Sequence, residues 1–171
     1  MKRIGLLSDT HSYIDDNILN HFKDCDEIWH GGDIGDISVA DKIAAFKPFR
    51  AVYGNIDNKE VRVSYPLNLR FKIEELDVFI THIGGYPSRY NKRVRAILTE
   101  NPPDLYICGH SHILKIMPDK KRGLIHMNPG ACGHIGFHHM RTLIRFSISG
   151  KKIADVEVIE LGKRGVGITK E

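Results

Sequence analysis

Five short apolar runs in this chain each stop at a turn carrying a carboxylate, an amide or an imidazole, and this repetition narrows the possible folds more than any other feature. Arg3 to Ser8 runs into Asp9-Thr10-His11, and Glu27 to His30 runs into Gly31-Gly32-Asp33. Phe49 to Tyr53 is followed by Gly54-Asn55-Ile56-Asp57, Val78 to Ile80 by Thr81-His82, and Asp104 to Cys108 by Gly109-His110-Ser111-His112. Short aliphatic runs closed by polar turns read as buried strands. Functional side chains gathered at the carboxyl ends of strands are the habit of α/β sheets.

Between these runs the spacing predicts helices. Ile14, Ile18, Leu19 and Phe22 fall on one helical face that ends near Lys23. Val39, Ile43, Ala44 and Phe46 mark a second helix, stopped by Pro48, and Tyr90 to Glu100 a third, stopped by Pro102-Pro103. Asn68 to Ile73 and Val78 to Ile80 pair as a hairpin around Glu74 to Asp77. From Ile113 onward, Leu124 to Met127, Thr142 to Ile148 and Ile153 to Ile159 are β-rich and separated by Gly-containing turns, which predicts an antiparallel C-terminal half. The tail from Lys163 to Glu171 reads as frayed.

Composition bounds the function. With 171 residues, 42% hydrophobic and 27% charged, residues 1–171 are expected to form a single domain with a substantial core. The apolar N-terminal run is interrupted at Ser8-Asp9 before a signal core or membrane span could form, so a cytoplasmic protein without a membrane role is expected. Cys25, Cys108 and Cys132 have no CxxC spacing and read as reduced, buried thiols. A net charge of +4 suits anionic ligands. Its basic clusters, Lys120-Lys121-Arg122 and Lys151-Lys152, sit at turns without interleaved aromatics, so no dedicated nucleic-acid groove is evident.

A solitary HxH pair is more often a solvated loop than a site, and a solitary Asp after a strand is more often a helix cap. Five such strand ends together are hard to assign to caps. Asp9, His11, Asp33, Asn55, His82, His110 and His112 supply oxygen and imidazole donors without a thiolate. That set suits Mn²⁺, Fe²⁺, Ni²⁺ or Zn²⁺, and seven donors are too many for one closed site but fit two neighbouring divalent ions.

The series Asp9-Thr10-His11, Gly32-Asp33, Gly54-Asn55, Thr81-His82 and Gly109-His110-Ser111-His112, in this order, resembles the motifs of calcineurin-like metallophosphoesterases. Asn128-Pro129-Gly130-Ala131 resembles a further element of the same family. Chain length and the Gly54-Asn55-Ile56-Asp57 variant are most similar to the small bacterial and archaeal phosphodiesterases of the superfamily, a group that also includes the retromer scaffold subunit. The resemblance implies an α/β fold, a four-layer αββα sandwich of two mixed β-sheets flanked by helices. It also implies a binuclear centre in which Asp9, His11 and His112 hold one ion and Asn55, His82 and His110 the other. Asp33 would bridge them, with Mn²⁺ first among the candidates. A water activated between the ions would then hydrolyse a small-molecule or nucleotide-type phosphodiester, with Asn55 also offsetting charge on the phosphoryl oxygens.

One position departs from the pattern. Many members carry a histidine after the motif Asn to protonate the leaving group, and this chain has Ile56. General acid catalysis is worth roughly 10²–10⁴-fold, so the implied enzyme is slow on poor leaving groups or uses another donor. Asp57 reads equally well as a ligand-orienting group or an Asx turn. His30 is either a support for the centre or a strand histidine satisfied by a backbone carbonyl. His134 and His138 lie in a Gly-rich loop that could overhang the site, whereas Ser8 and Ser111 read as small turn residues and Trp29 as core. A non-catalytic metal-binding scaffold on the same fold and a phosphomonoesterase are the alternatives to the phosphodiesterase. Exposed β edges permit a homodimer or higher homo-oligomer.

Overall fold

The computed structural model describes residues 1–167. The chain runs β1 (Lys2–Leu7), α1 (Asp16–Asn20), β2 (Glu27–His30), α2 (Ile37–Phe46), β3 (Phe49–Ala51), α3 (Lys59–Ser64), β4 (Asn68–Ile73) and β5 (Leu76–Thr81). A small hairpin of β6 (Gly85–Tyr86) and β7 (Arg89–Tyr90) precedes α4 (Lys92–Glu100), and the rest is β8 (Leu105–Ile107), β9 (Leu114–Asp119), β10 (Leu124–Pro129), β11 (Met140–Ser149) and β12 (Lys152–Lys163).

Two mixed five-stranded sheets carry the fold, ordered β12-β11-β1-β2-β3 and β4-β5-β8-β10-β9. Alternation along the strands sorts their side chains into layers. Ile4, Leu6 and Trp29 point inward to meet Val78, Ile80, Leu105 and Ile107 of the facing sheet, forming the central core. Leu7 and Ile28 point outward and are covered by Ile18 and Leu19 of α1 and by Val39, Ala40 and Ile43 of α2. Phe79 and Tyr106 leave the other sheet on its outer side, where Val94 and Leu98 of α4 cover them. The result is a four-layer αββα sandwich with Trp29 fully buried at its centre.

Asp15, Asp36, Asn58 and Asn91 cap the four helices, each accepting a backbone N–H of the first turn. The first helix is shorter than its apolar spacing predicts: α1 ends at Asn20, and Phe22 reaches the same core from a following turn. Helix α3 has only Val61 buried, too little for a periodic signal. The C-terminal half is not one antiparallel unit. β10 pairs parallel to β8 and antiparallel to β9 in one sheet, whereas β11 and β12 complete the other by antiparallel pairing. Lys163 is still within β12, and Arg164 bonds the His139 and His138 carbonyls through its backbone N–H and Nε, so this part of the tail is docked, not frayed. Residues 168–171 lie outside the described residues.

Parallel pairing of β1 with β2, β2 with β3, and β5 with β8 aligns strand ends within each sheet. The turns following these five strands face one another across the sandwich. Among the described residues no helix is long and apolar enough to cross a membrane.

Candidate metal centre

The turns after β1, β2, β3, β5 and β8 are bound to one another before any side chain is considered. Asp9 N–H donates to the Gly32 carbonyl at 3.0 Å and His11 N–H to the Asp33 carbonyl at 3.1 Å, joining the first two turns. Gly109 N–H donates to the His82 carbonyl at 3.0 Å, joining the two turns of the other sheet. Across the sandwich, the His110 amide donates to Asp9 Oδ2 at 3.2 Å and His82 Nδ1 meets the Gly31 carbonyl at 2.8 Å.

Asp9, His11, Asp33, His110 and His112 all have positive φ, between 46° and 69°. Side-chain-bearing residues seldom occupy this left-handed region, and strain of about 1–3 kcal/mol each is held where surrounding contacts over-determine it. Here it turns five donor side chains toward one point. Two glycines make the room. Gly32 has a φ of 99° and a Cβ there would lie 2.6 Å from His82 Nδ1, while a Cβ on Gly54 would overlap the Asp33 carboxylate and amide.

Two groups of donors result. One atom each from Asp9, His11 and His112, and one each from Asp33, His82 and His110, lie within 4.8 Å of one another in their group. Asp33 Oδ2 joins the groups, 3.5 Å from His11 Nε2 and 3.2 Å from His82 Nε2. Asp9 Oδ1 is 3.1 Å from His112 Nε2 and about 4 Å from both other rings, at 4.0 Å from His11 Nε2 and 3.9 Å from His82 Nε2.

Tautomers follow from the outer hydrogen bonds. His82 Nδ1–H donates to the Gly31 carbonyl, so the neutral ring turns the Nε2 lone pair toward Asp33. His138 Nε2–H donates to the Gly133 carbonyl at 2.9 Å, which makes its Nδ1 an acceptor for His112 Nδ1–H at 3.2 Å and leaves the His112 Nε2 lone pair facing Asp9. Acceptors therefore face acceptors. Asp9 Oδ1, His11 Nε2 and His82 Nε2 are buried without a hydrogen-bond partner, a costly arrangement that a cation resolves. Burial pulls the His82 pKa down, but the Asp33 carboxylate beside its Nε2 and the charge of Asp9 outweigh this and raise it. Burial also raises Asp33, and the same partnership with His82 overrides that and lowers it. The donor set and its geometry fit divalent ions.

Asn55 is exposed and, with His82, lines a cavity beside the second group. Ile56 projects its apolar side chain outward at 46% exposure while its amide donates to Asp33 Oδ1 at 3.1 Å. Position 56 thus serves the site through its backbone. Asp57 is buried and accepts from the Gly35 and Gly54 amides, both at 2.7 Å, tying the β2 and β3 turns together.

The other sequence candidates separate. His138 supports His112, whereas His134 turns away to pack edge-on against Tyr13 at 4.5 Å and accept from the Gly165 amide. His30 is fully buried and burial drives its pKa down to about 3. Its partners are the Gly32 amide, donating to Nδ1 at 3.0 Å, and the Thr10 hydroxyl at 3.0 Å from Nε2, not a backbone carbonyl. Ser8 does more than fill a turn: its buried hydroxyl donates to Asp9 Oδ2 at 2.6 Å. Asn128 donates to the Gly109 carbonyl at 3.0 Å and Ser111 Oγ at 3.1 Å, fixing the loop that carries His110 and His112. The Asn128-Pro129-Gly130-Ala131 element was its only signal in the sequence.

A model of the calcineurin-like phosphoesterase superfamily domain matches residues 1–151. A probable metallophosphoesterase of Methanothermobacter thermautotrophicus is 27% identical over 166 residues, spanning 93% of this chain and 92% of its own length. Vps29 of Entamoeba histolytica, solved in complex with zinc, superposes with a TM-score of 0.71 at 15% identity, over 92% of this chain and 98% of that one. A structure described as a novel archaeal phosphodiesterase gives a TM-score of 0.67 at 22% identity, over 93% and 99%. The likenesses to solved structures show the fold. The match of the family model across most of the sequence shows that this chain belongs to the calcineurin-like phosphoesterase superfamily.

Proposed function

We propose that this phosphoesterase is a phosphodiesterase working through two divalent ions, one held by Asp9, His11 and His112 and the other by Asn55, His82 and His110, with Asp33 shared. The observation that carries this reading is the convergence of three buried, partnerless acceptor atoms, Asp9 Oδ1, His11 Nε2 and His82 Nε2, around Asp33. Oxygen and imidazole donors without thiolate favour Mn²⁺, with Fe²⁺, Ni²⁺ and Zn²⁺ as alternatives. A zinc complex of Vps29, on the same fold, is in keeping with a divalent ion here.

When bound, such ions supply Lewis acidity toward the phosphoryl oxygens and activate water for in-line displacement. The chain's own residues do the rest. Asn55 hydrogen-bonds a phosphoryl oxygen at the mouth of the site, and the Ile56 amide and Ser8 hydroxyl hold the Asp33 and Asp9 carboxylates in place. No side-chain nucleophile is required. Burial pushes the Cys108 and Cys132 thiols up to about 12, which keeps them protonated and inert at neutral pH. Three free, buried cysteines suit a cytoplasmic setting.

Ile56 puts an apolar side chain where a proton donor would serve poor leaving groups, which favours diesters with good leaving groups over monoesters. Hydrolysis of bis-p-nitrophenyl phosphate against p-nitrophenyl phosphate in Mn²⁺ tests this: the diester should react faster, and a strong monoester preference would refute the assignment. A second reading, a binding protein on the same fold, draws on Phe137, 99% exposed in the loop that carries His138. Fully metal-loaded protein that hydrolyses neither compound would favour it.

A further inference from the structure

We propose that the cavity beside Asn55 and His82 is a second anion subsite, in which Arg62 and Arg93 take a terminal phosphate carried by the phosphodiester substrate. The inference rests on the phosphodiesterase reading above and adds the class of diester. The cavity measures about 360 Å³, large enough for a phosphorylated sugar, and Asn55 and His82 line it together with both arginines. A group docked there is therefore continuous with a phosphodiester at the centre.

The charge of this cavity is unbalanced. Among the described residues, Arg50, Arg70, Arg122 and Arg145 are each ion-paired, with Glu27, Asp77, Asp119 and Glu157. Arg62 and Arg93, like Arg95, Arg141 and Arg164 away from this cavity, instead bond neutral oxygens. Arg62 donates through Nε to the Asp57 carbonyl at 2.6 Å and through Nη2 to the Asn55 carbonyl at 3.1 Å, and its guanidinium stacks over Tyr53 at 4.8 Å. Arg93 donates to Asn68 Oδ1 at 2.7 Å, Thr81 Oγ1 at 2.9 Å and the Ile83 carbonyl at 3.2 Å. Neutral partners fix both side chains without cancelling their charge. Asp57, whose carbonyl Arg62 bonds, has its own carboxylate buried under two backbone amides. Planar guanidinium groups held in place match the oxygens of a phosphate. Exposed Leu67 and Ile83 on the same wall give the sugar and base an apolar surface.

The test uses full-length, Mn²⁺-loaded protein and two product-like probes, thymidine 3′,5′-bisphosphate and thymidine 3′-phosphate, which differ only in the second phosphate. Isothermal titration calorimetry should show the bisphosphate binding at least about tenfold more tightly, the scale of one charge-assisted contact. Arg62→Gln and Arg93→Gln should each shrink that margin, their combination should bring it near one, and Arg93→Lys should retain part of it. Equal affinities in the wild type, or a margin that survives both substitutions at full metal content, would overturn the subsite. If the glutamine variants do not fold, the wild-type margin and Arg93→Lys decide the question. The readout needs no turnover, so failure to hydrolyse bis-p-nitrophenyl phosphate would sink the phosphodiesterase reading while leaving the binding comparison to stand or fall alone.

Discussion

His138 lies with its Nδ1 3.2 Å from Nδ1 of His112, and its own Nε2 donates to the Gly133 carbonyl. The two rings form a relay that fixes which nitrogen of His112 is free to bind. His138→Ala breaks the relay, and outer-sphere losses of this kind cost about 10–100-fold in metal affinity. Competition with a fluorescent chelator should find that loss, with the thermal melt close to wild type. Unchanged affinity would show that His112 is oriented by something else.

Gly54 is expected to tolerate no side chain. A Cβ there meets the Asp33 carboxylate and amide, and the backbone cannot yield without displacing Asn55 or the Ile56 amide bonded to Asp33. Gly54→Ala should therefore lose at least one metal equivalent and nearly all turnover. Elemental analysis and bis-p-nitrophenyl phosphate hydrolysis check both, and wild-type values for either would contradict the account.

Ile56→His should leave metal content intact, because the side chain at 56 is exposed and position 56 serves Asp33 through its amide. A proton donor at this point should raise hydrolysis of monoesters with poor leaving groups, by up to roughly 10²-fold if it acts as a general acid. No gain on phenyl phosphate would mean the imidazole does not reach the leaving group.

Much of this centre was legible because strand ends are marked by local sequence: an apolar run, a glycine or small hydroxyl residue, then a donor. His30 and Asp57 were harder, since beside a local amide each also bonds a group from the neighbouring turn, the Thr10 hydroxyl and the Gly35 amide. Ser8 and Asn128 read only as turn and motif residues, because a hydroxyl bonded to the neighbouring carboxylate and a side-chain amide bonded to a loop of another strand leave no periodic trace. The fold follows the same division. Alternation in β10 and β11 announced strands, but nothing local says that β10 joins β8 in parallel while β11 joins β1 antiparallel. Likewise Phe22 satisfied a helical spacing while sitting in a turn, because the core needs an apolar side chain there and not a particular backbone.

His126 makes stability depend on pH. It is buried, its ring stacks on Tyr106 at 5.0 Å, and burial lowers its pKa to about 4. Between the unfolded value near 6.5 and that folded value, the unfolded chain binds more protons, so stability falls as pH drops through this window, by up to about 1.4 kcal/mol per unit. Urea unfolding of metal-free protein at pH 7 and pH 5 should show the decrease, and His126→Phe should make it smaller, with the buried His30 still contributing. An unaltered slope in that variant would remove His126 from the explanation.

The central claim is that two ions share Asp33, whose Oδ2 stands between His11 and His82. Metal content by mass spectrometry, after Mn²⁺ loading and exhaustive dialysis, tests it most directly. Wild-type protein should hold two ions per chain and Asp33→Asn fewer than one, because loss of the shared carboxylate weakens both sites together. A wild type that retains no metal, or an Asp33→Asn variant that still holds two, would contradict the account.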